Sequence, residues 1–237
     1  MKKLITSILA GATIILSTGG VAAALGQYTT GTTGTDVSWP NCSASIPKAA
    51  FGIVGVTGGA GFSQNGCLKA EASHFVNLSL YVNTGYPGQS TGINYQSAPK
   101  ACGTTDLNCL AYNYGYNAGQ FAFNYAQSSG VYSNTWWLDV ETMNTWTNDT
   151  AQNQNSLQGE VDSLKDAGVN TVGVYSTTAQ WKSITNGWQN GLPSWGATTW
   201  TNAKQAATYC HGHEFTGGPS YLMQFTPKRS LDQDYVC

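Results

Sequence analysis

Carboxylic acids are scarce in this 237-residue chain, and several of them stand where β-type runs end. Asp139 and Glu141 close an apolar run, and because they are two residues apart they point to the same side of an extended strand. Asp36 lies in the first β-type run, and Asp232 and Asp234 follow the last one. In a parallel barrel the chemistry lies at the C-terminal ends of the strands, so these carboxylates would converge at one mouth.

Converging carboxylates supply what hydrolysis of a glycosidic bond needs. One carboxylic acid protonates the leaving oxygen, and a second group stabilises charge or activates water. Crowded carboxylates raise one another's pKa, so one can stay protonated near neutral pH. The pattern Asp139-x-Glu141 is common by itself. It is also compatible with a capping Asp beside an exposed Glu, or with a metal site built from the same oxygens.

The elements that would position these acids are short strands alternating with helices, a pattern that favours βα units and a parallel sheet. The predicted strands cover residues 35–39, 51–57, 78–83, 135–140, 171–175, 192–199 and 221–225. The predicted helices cover residues 67–76, 110–127, 149–168 and 179–184. Since the run 221–225 is the last one, it would lie beside the first strand, and a short piece near Tyr209 could serve as the missing seventh strand.

We therefore expect the α/β class and a single (β/α) barrel, similar to a TIM barrel, irregular around strand seven and containing disulfides. An open sheet is the alternative. No G-x-G-x-x-G follows the first strand, which removes the main support for a dinucleotide-binding fold. No G-x-S-x-G occurs either, which counts against an α/β-hydrolase.

The N-terminus is typical of a cleavable signal peptide. Lys2 and Lys3 precede a short apolar run, and Ala22-Ala23-Ala24 offers a cleavage site. An uncleaved membrane anchor is the alternative, although the apolar run is short for a membrane span. The expected organisation is a signal peptide over 1–24, a flexible leader rich in Gly and Thr over 25–35, and the barrel domain over 36–237, in a secreted protein.

The chain has an even number of cysteines, 6 in all, and all lie beyond the expected signal peptide, so disulfides are the default. Sequence proximity favours Cys102 with Cys109, and the simplest nested choice then pairs Cys42 with Cys67 and Cys210 with Cys237. A zinc site is the competing interpretation, but its nearest candidate, the Cys210 to His213 segment, lacks a second half.

Charge is low and nearly balanced, with 10 basic and 12 acidic residues, so nothing indicates binding to nucleic acid or to an anionic membrane. Aromatic residues make up 12% of the chain, and the remaining polar surface is mostly amide, hydroxyl and Gly. Such a surface suits sugars, because pyranose rings stack on aromatic faces and their hydroxyls bond to amides. We expect no cofactor and no metal, and the sequence is silent on oligomeric state.

Five short motifs, in order along the chain, resemble those of the family 25 glycoside hydrolases, the lysozymes that cut between the sugars of peptidoglycan. The likeness covers most of the chain after the signal peptide, and it extends to secreted relatives with this barrel. The matching segments are Asp36-Val37-Ser38, Leu138-Asp139-Val140-Glu141, Val174-Tyr175-Ser176, Trp195-Gly196-Ala197, and Gln224-Phe225-Thr226 followed by Leu231-Asp232.

The resemblance implies a role for each matching position. Glu141 would be the proton donor, and Asp139 would stabilise the oxocarbenium-like transition state or orient the acetamido group of the substrate. Asp36 and Asp232 would line the same pocket. The expected sugar-binding residues are Tyr81, Tyr175, Trp195, Gln224 and Asp234. The substrate would be a polysaccharide, with peptidoglycan the presumed one.

The chain also departs from the family pattern. Thr57-Gly58-Gly59 replaces a charged or acidic motif, Tyr81-Val82-Asn83-Thr84 replaces Tyr-His-Phe, and Gly85 to Asn108 is an insertion. Two further hypotheses therefore stay open: a catalytically silent carbohydrate-binding module of the cell envelope on the same barrel, and a different secreted hydrolase or structural envelope protein.

Overall fold

Eight strands close into one barrel in the computed structural model, which describes residues 27–89, 98–228 and 230–237. The expected signal peptide, 1–24, and part of the Gly85 to Asn108 insertion lie outside the described residues. The strands are β1 (Thr33–Val37), β2 (Gly52–Gly55), β3 (Leu78–Asn83), β4 (Thr135–Asp139), β5 (Thr171–Ser176), β6 (Ser194–Ala197), β7 (Ser220–Phe225) and β8 (Gln233–Val236).

Helices connect most of the strands on the outside of the barrel, which confirms the predicted α/β class. They are α1 (Leu68–Ala72), α2 (Leu107–Ser128), α3 (Thr150–Asp166), α4 (Thr178–Thr185) and α5 (Ala203–Ala207). Their starts follow local chemistry: the Asp149 side chain accepts the backbone N–H groups of Ala151 and Gln152 at the beginning of α3. Gly168, with a φ of +92°, follows the end of that helix.

Strands β1 to β7 are parallel to their neighbours, and β8 runs antiparallel to both β7 and β1. The prediction that residues 221–225 form the last strand was therefore wrong, because they form β7. The expected strand near Tyr209 is also absent from the described residues, where the segment before Tyr209 is helix α5. Residues 233–236 were missed because they are short and begin with polar side chains. Only Asp234 and Val236 turn inward.

The barrel begins earlier than the sequence suggested. β1 starts at Thr33, so residues 33–35 of the expected leader are strand residues. Tyr28 is 7% exposed and packs edge-on against Phe51, with ring centroids 4.8 Å apart. Its hydroxyl accepts a 3.0 Å hydrogen bond from Trp137 Nε1 inside the barrel. This part of the expected leader is thus structural rather than a flexible segment.

Large aromatic side chains fill the interior of the barrel where glycines on neighbouring strands leave room. A Cβ at Gly173 would lie 2.3 Å from the Trp137 ring, and a Cβ at Gly34 would lie 2.2 Å from the Phe51 ring. Ile53 and Trp137 pack inside, whereas Val54, Leu138 and their neighbours pack outward against the helices. The interior is a packed core below the mouth rather than a channel.

Helices α2 and α3 cross at very close range. A Cβ at Gly115 would lie 1.8 Å from the carbonyl oxygen of Ser156, and one at Gly159 would lie 2.0 Å from that of Tyr112. Only glycine permits two helix backbones to approach so closely. These helices flank β4, so the crossing fixes the strand that carries Asp139.

Three disulfides tie loops to the barrel, and they are the pairs that sequence proximity favoured: Cys42 with Cys67, Cys102 with Cys109, and Cys210 with Cys237. The last of these bonds holds the residue after β8 to the segment after α5. In the part of the chain that the structure describes, no helix combines the length and the apolar character needed to cross a bilayer.

Candidate active site

One cleft of about 440 Å³ opens at the C-terminal ends of the strands, and we call it the acidic cleft. It is lined by residues of six of the strands and of the loops that follow them: Asp36, Ser38, Pro40, Asn41, Tyr81, Asp139, Glu141, Tyr175, Trp195, Gln224, Thr226, Ser230, Leu231 and Asp232. The cleft therefore occupies the position where barrel enzymes carry out their chemistry.

The four acids expected from the sequence to carry catalysis all reach this cleft: Asp36, Asp139, Glu141 and Asp232. Barrel closure explains the meeting, because the backbone N–H of Asp36 on β1 donates to the carbonyl oxygen of Asp232 in the loop before β8, at 3.2 Å. Four of the five expected sugar-binding residues, Tyr81, Tyr175, Trp195 and Gln224, line the same cleft.

Asp234 was expected to bind sugar, and the structure contradicts this expectation. Its side chain is 0% exposed, and its Oδ1 accepts a 2.7 Å hydrogen bond from Trp195 Nε1. Because β8 alternates, Asp234 points into the barrel interior below the cleft. It supports the residues of the cleft and does not contact what enters it.

Asp139 is the last residue of β4, and polar groups from the neighbouring strand hold it in place. The Asn83 side-chain amide donates to Asp139 Oδ2, and the Thr84 hydroxyl donates to the Asp139 carbonyl at 2.7 Å. Asn83 is itself fixed, because the Thr57 hydroxyl donates to Asn83 Oδ1 at 2.8 Å. Asn83 and Asp139 are direct partners in the β3–β4 register, so strand pairing alone brings them together.

The Asp139 and Glu141 carboxyl groups lie close enough for the charge of Glu141 to affect the pKa of Asp139. Burial raises the pKa of Asp139 well above its ordinary value, and the charge of Glu141 and a side-chain hydrogen bond between the two carboxyl groups raise it further. Within the described chain, no N–H or O–H group donates to Asp139 Oδ1. Burial and the neighbouring Glu141 carboxyl group therefore both favour the protonated form of Asp139.

A second carboxyl pair, Asp36 with Asp234, lies on the β1–β8 side of the barrel. Burial, followed by the charge of Asp232, raises the pKa of Asp36 to about 7. Burial and the charge of Asp36 raise the pKa of Asp234 well above its ordinary value. Asp234 Oδ1 accepts from Trp195, and no donor in the described chain reaches its Oδ2. Burial is therefore the main cause of both shifts.

Gln224 links the two sides of the cleft. Its Oε1 accepts from the Tyr175 hydroxyl at 2.7 Å, and its Nε2 donates to Asp36 Oδ2 at 3.1 Å. Burial raises the pKa of Tyr175 well above its ordinary value, so the phenol stays protonated and keeps donating. The Tyr175 ring packs on Trp195 with a centroid separation of 4.5 Å. These side chains form one connected wall that orients Asp36.

The loop after β4 is fixed around Glu141. The backbone carbonyl oxygen of Glu141 accepts the Trp146 Nε1–H at 2.8 Å and the Asn144 backbone N–H at 3.1 Å. The next residue, Thr142, donates its backbone N–H to Gln180 Oε1 on α4 at 2.6 Å. Glu141 is half-buried and lines the cleft, so its carboxyl group is accessible from the cleft.

Sequence reasoning missed several residues of the site. Asn83 and Thr57 were noted only as departures from a family pattern, although both lie at the end of strands that flank the acids of the cleft. Ser38 and Thr226 belong to the matching motifs but were given no role, and Asn41 lines the cleft from a loop without a recognisable signal. Asn83 could have been found, because its position at the end of a strand beside β4 places it next to Asp139.

No group of three or more His, Cys, Asp or Glu side chains among the described residues is arranged to hold a metal ion. The cysteines form disulfides, and the expected zinc alternative at Cys210 is therefore wrong, since Cys210 is bonded to Cys237.

Comparison with known proteins identifies the family. A sequence model of a family described as "Lys-1: Lysozyme-like protein 1" matches residues 48–216, which is more than half of the chain. The chain belongs to the lysozyme-like protein 1 family. This confirms the resemblance to family 25 lysozymes. The match to the lysozyme-like family includes Asp139 and Glu141, whereas Asp36 and Asp232 lie outside it and reach the cleft through closure of the barrel.

Individual relatives agree with this assignment. A segment of 62 residues is 37% identical to "Probable GH family 25 lysozyme 5" of Dictyostelium discoideum and covers 25% of this chain and 29% of that protein. The fold is similar to that of a muramidase from Trichobolus zukalii, with a TM-score of 0.53 and 14% identity over 87% of this chain and 93% of that one. It is also similar to the modular autolysin LytC of Streptococcus pneumoniae, with a TM-score of 0.55 and 14% identity over 86% of this chain and 46% of that one.

Proposed function

We propose that this lysozyme-like protein is a secreted glycosidase that hydrolyses the glycan strand of peptidoglycan, with Glu141 as the proton donor. The observation that carries the proposal is the meeting of Asp139 and Glu141 with Asp36 and Asp232 in one cleft at the C-terminal ends of the strands. A half-buried acid beside a buried one, at the mouth of a barrel, supplies the proton that the leaving oxygen needs.

The position of Asp139 and Glu141 at the end of one strand favours participation of the substrate's acetamido group over the mechanisms in which two carboxyl groups flank the sugar. Two catalytic carboxyl groups that flank a sugar are about 5–5.5 Å apart in retaining enzymes and about 6.5–9.5 Å apart in inverting ones. Asp139 ends β4 and Glu141 lies only two residues further along the chain, so the two carboxyl groups approach the sugar from the same side. Their geometry fits a reaction in which the acetamido group of the substrate acts as the nucleophile.

In this mechanism the acetamido N–H of the substrate donates to Asp139, which favours the charged form of that residue. The Glu141 carboxyl group donates its proton to the glycosidic oxygen as the bond to the anomeric carbon breaks. The acetamido oxygen bonds to that carbon and forms a cyclic cation. Water then adds to the same carbon, its proton returns to Glu141, and the ring opens to restore the acetamido group.

The remaining polar residues of the cleft have supporting roles in this proposal. Asp36 and Asp232 provide negative charge near the positive charge that develops on the sugar ring. Gln224 and Tyr175 fix the orientation of Asp36 through their hydrogen bonds. The Tyr81 ring, which packs edge-on against Trp195 with centroids 6.2 Å apart, contributes an aromatic wall for the sugar.

Peptidoglycan as the substrate is supported by what the similar proteins are called. The autolysin of Streptococcus pneumoniae was solved in complex with a synthetic peptidoglycan ligand, and the Trichobolus zukalii protein is a muramidase. The muramic acid polymer also carries the acetamido groups that the proposed mechanism requires. Chitin carries them too, so the two polymers are separated by experiment below.

Secretion is supported by the signal-peptide pattern of residues 1–24 and by three disulfides, which persist in oxidising compartments. Cleavage after Ala24 leaves Leu25 as the first residue and keeps Tyr28 for the barrel core. Intact-mass measurement of the exported protein tests this proposal. A protein that retains residues 1–24 outside the cell would contradict it.

The catalytic proposal is tested with wild-type protein and the Glu141→Gln variant on purified bacterial walls, chitin and soluble glycans. We expect new reducing ends from bacterial walls only, and a loss of about 1,000-fold or more in the variant, which should retain the wild-type circular dichroism spectrum. Equal binding of walls by both proteins without new reducing ends would instead indicate the non-catalytic carbohydrate-binding module.

A further inference from the structure

Trp39 is unusual among the tryptophans of the chain because half of its surface is exposed, 50% of the side chain and backbone together. The seven other tryptophans are buried or partly buried. Trp39 follows β1 directly and lies at the rim of the acidic cleft. Its neighbours Ser38, Pro40 and Asn41 line the cleft, whereas Trp39 itself is not part of the lining.

The backbone around Trp39 is rigidly held. Residues Trp39–Asn41 form a short 3-10 helix that contains Pro40. The Asn41 backbone N–H donates to the Ser38 carbonyl at 2.7 Å, and the Ser38 N–H donates to Asn41 Oδ1 at 3.0 Å. Cys42 is the next residue, and its disulfide to Cys67 ties this loop to the beginning of α1. Little conformational entropy is therefore lost when a ligand contacts the indole.

A glycine-rich loop accommodates the edge of the indole. A Cβ at Gly59 would lie 3.0 Å from Trp39 Nε1, and Gly59 has a φ of +93°, a conformation that side chains other than glycine rarely adopt. The loop after β2 therefore supports one edge of the Trp39 ring. This loop is Gly58-Gly59-Ala60-Gly61, so the Ala60 methyl group is its only side chain that could cover the face of the ring. The exposed ring lies on the β1–β2 side of the cleft.

We propose that Trp39 is the stacking platform of an additional sugar subsite, which binds a pyranose ring of the glycan strand beyond the sugars held in the acidic cleft. This inference rests on the proposed glycosidase function and specifies that the enzyme prefers long strands. A fixed, half-exposed indole offers a flat apolar face with a polar Nε1–H at its edge, which matches the apolar face and the hydroxyl rim of a pyranose.

The distribution of charge favours a sugar over a peptide as the occupant. Trp39 is followed by Pro40, Asn41, Cys42, Ser43 and Ala44, and the facing loop is Gly58 to Gly61, so neither segment carries a charged side chain. A neutral, hydroxyl-rich polymer that already fills the adjacent cleft is the ligand that continues onto this surface. The short distance along the chain from Asp36 to Trp39 places the platform next to the reacting sugar.

The experiment measures binding by calorimetry in the Glu141→Gln background, so that no ligand is cleaved. The ligands are two glycan fragments from bacterial walls, one that just fills the cleft and one several sugars longer. The variants are Trp39→Ala, the conservative Trp39→Phe, and the control Tyr132→Ala. Tyr132 is also exposed, at 62%, but it precedes β4 and therefore lies at the opposite end of the barrel.

We expect Trp39→Ala to weaken binding of the long fragment about tenfold more than binding of the short one, as is typical for truncation of a contacting Trp. Trp39→Phe should recover most of the loss, and Tyr132→Ala should bind both fragments like the parent. Tryptophan fluorescence should change more on addition of the long fragment than of the short one, and this difference should disappear in Trp39→Phe, because Trp195 in the cleft responds to both fragments.

Equal effects of Trp39→Ala on the two fragments, or fluorescence that changes equally with both, would overturn the subsite while leaving the proposed function intact. Failure of the parent to bind either fragment would overturn the function as well. Should Trp39→Ala fail to fold, the Trp39→Phe fluorescence result and the length preference of the parent decide the question.

Discussion

The indole Nε1 of Trp195 on β6 donates a 2.7 Å hydrogen bond to Oδ1 of Asp234 on β8. Both side chains are buried, and Asp234 also interacts electrostatically with Asp36 in the cleft above, whose charge raises the pKa of Asp234. A residue that contacts no substrate thus connects one wall of the cleft to one of its acids. The sequence alone predicted a sugar contact for Asp234, not this supporting role.

This relationship predicts different outcomes for two substitutions at position 234. Asp234→Asn keeps an acceptor for Trp195 and an N–H that can donate to Asp36, so its free energy of unfolding should stay within about 1 kcal/mol of wild type. Asp234→Leu leaves the buried Trp195 N–H unpaired and should lose about 2–3 kcal/mol. Urea unfolding measures both, and equal stability of the two variants would contradict the role assigned to this bond.

A second prediction concerns Asn83, whose amide stabilises the charged form of Asp139. In Asn83→Ala that donor is lost, so the pKa of Asp139 should rise further above its already raised value. Because the proposed reaction needs ionised Asp139, the acidic limb of the pH–rate profile should move to higher pH. Activity at pH values below the pKa of Asp139 should then be about tenfold lower than in wild type.

Thr57→Val provides a graded comparison for this prediction. It removes the hydroxyl that orients Asn83 but keeps the amide, so the limb should move in the same direction by a smaller amount. A purely structural effect would lower the rate at every pH without moving the limb, and that result would contradict the assignment.

Much of the barrel could be predicted from the sequence because its strands are apolar and bounded by turn residues. β3 was predicted with both ends in place, and β4 and β5 to within one residue. β8 could not be predicted, because a short strand beginning Gln-Asp has little β-propensity and is stabilised by pairing on both sides and by the Cys210–Cys237 disulfide.

For the candidate site too, some features could be predicted from the sequence and others could not. The meeting of the four acids in the cleft could be predicted, since strand-end position decides which side chains meet at the mouth. The inward orientation of Asp234 could not, because it depends on the register of the missed strand. Trp39 gave no signal either, since its exposure follows from the glycines of a distant loop rather than from its own neighbours in the sequence.

A third prediction concerns the contact between α2 and α3. In an isolated helix, replacing Gly115 by Ala would stabilise by about 1 kcal/mol. Here the new Cβ would lie 1.8 Å from the Ser156 carbonyl oxygen, so the backbones must separate, at a cost of about 3 kcal/mol or more. The clash dominates, and we expect Gly115→Ala to lower the unfolding free energy by about 2 kcal/mol.

Gly66→Ala is the matched control for Gly115→Ala, because no heavy atom lies within 4 Å of a Cβ built at Gly66. Its unfolding free energy should stay within about 0.5 kcal/mol of wild type. If both variants unfolded at the same urea concentration, the close helix approach would have no energetic importance.

The last prediction is that stability falls as the pH rises from about 4.5 to above 7. The pKa values of Asp36, Asp139, Asp234 and Glu160 are all raised in the folded protein, chiefly by burial, that of Asp36 to about 7. A carboxyl group with a raised folded-state pKa keeps its proton in the folded state after the unfolded chain has lost it. Its stabilising contribution is complete below the unfolded-state pKa and disappears as the pH rises through the folded-state pKa.

Glu160 isolates this effect from catalysis, because it lies on α3 outside the cleft lining. It is 3% exposed and packs against α2 where Gly119 leaves room for its side chain. Glu160→Gln keeps the shape and cannot ionise, so the variant should be more stable than wild type at pH 8 by about 2 kcal/mol, with little difference at pH 4. Urea unfolding across this pH range measures the effect, with the exposed Glu214→Gln as the control. A Glu160→Gln curve parallel to that of wild type at every pH would mean that Glu160 is already ionised in the folded protein, and the fall in stability would then have to come from the three aspartates alone.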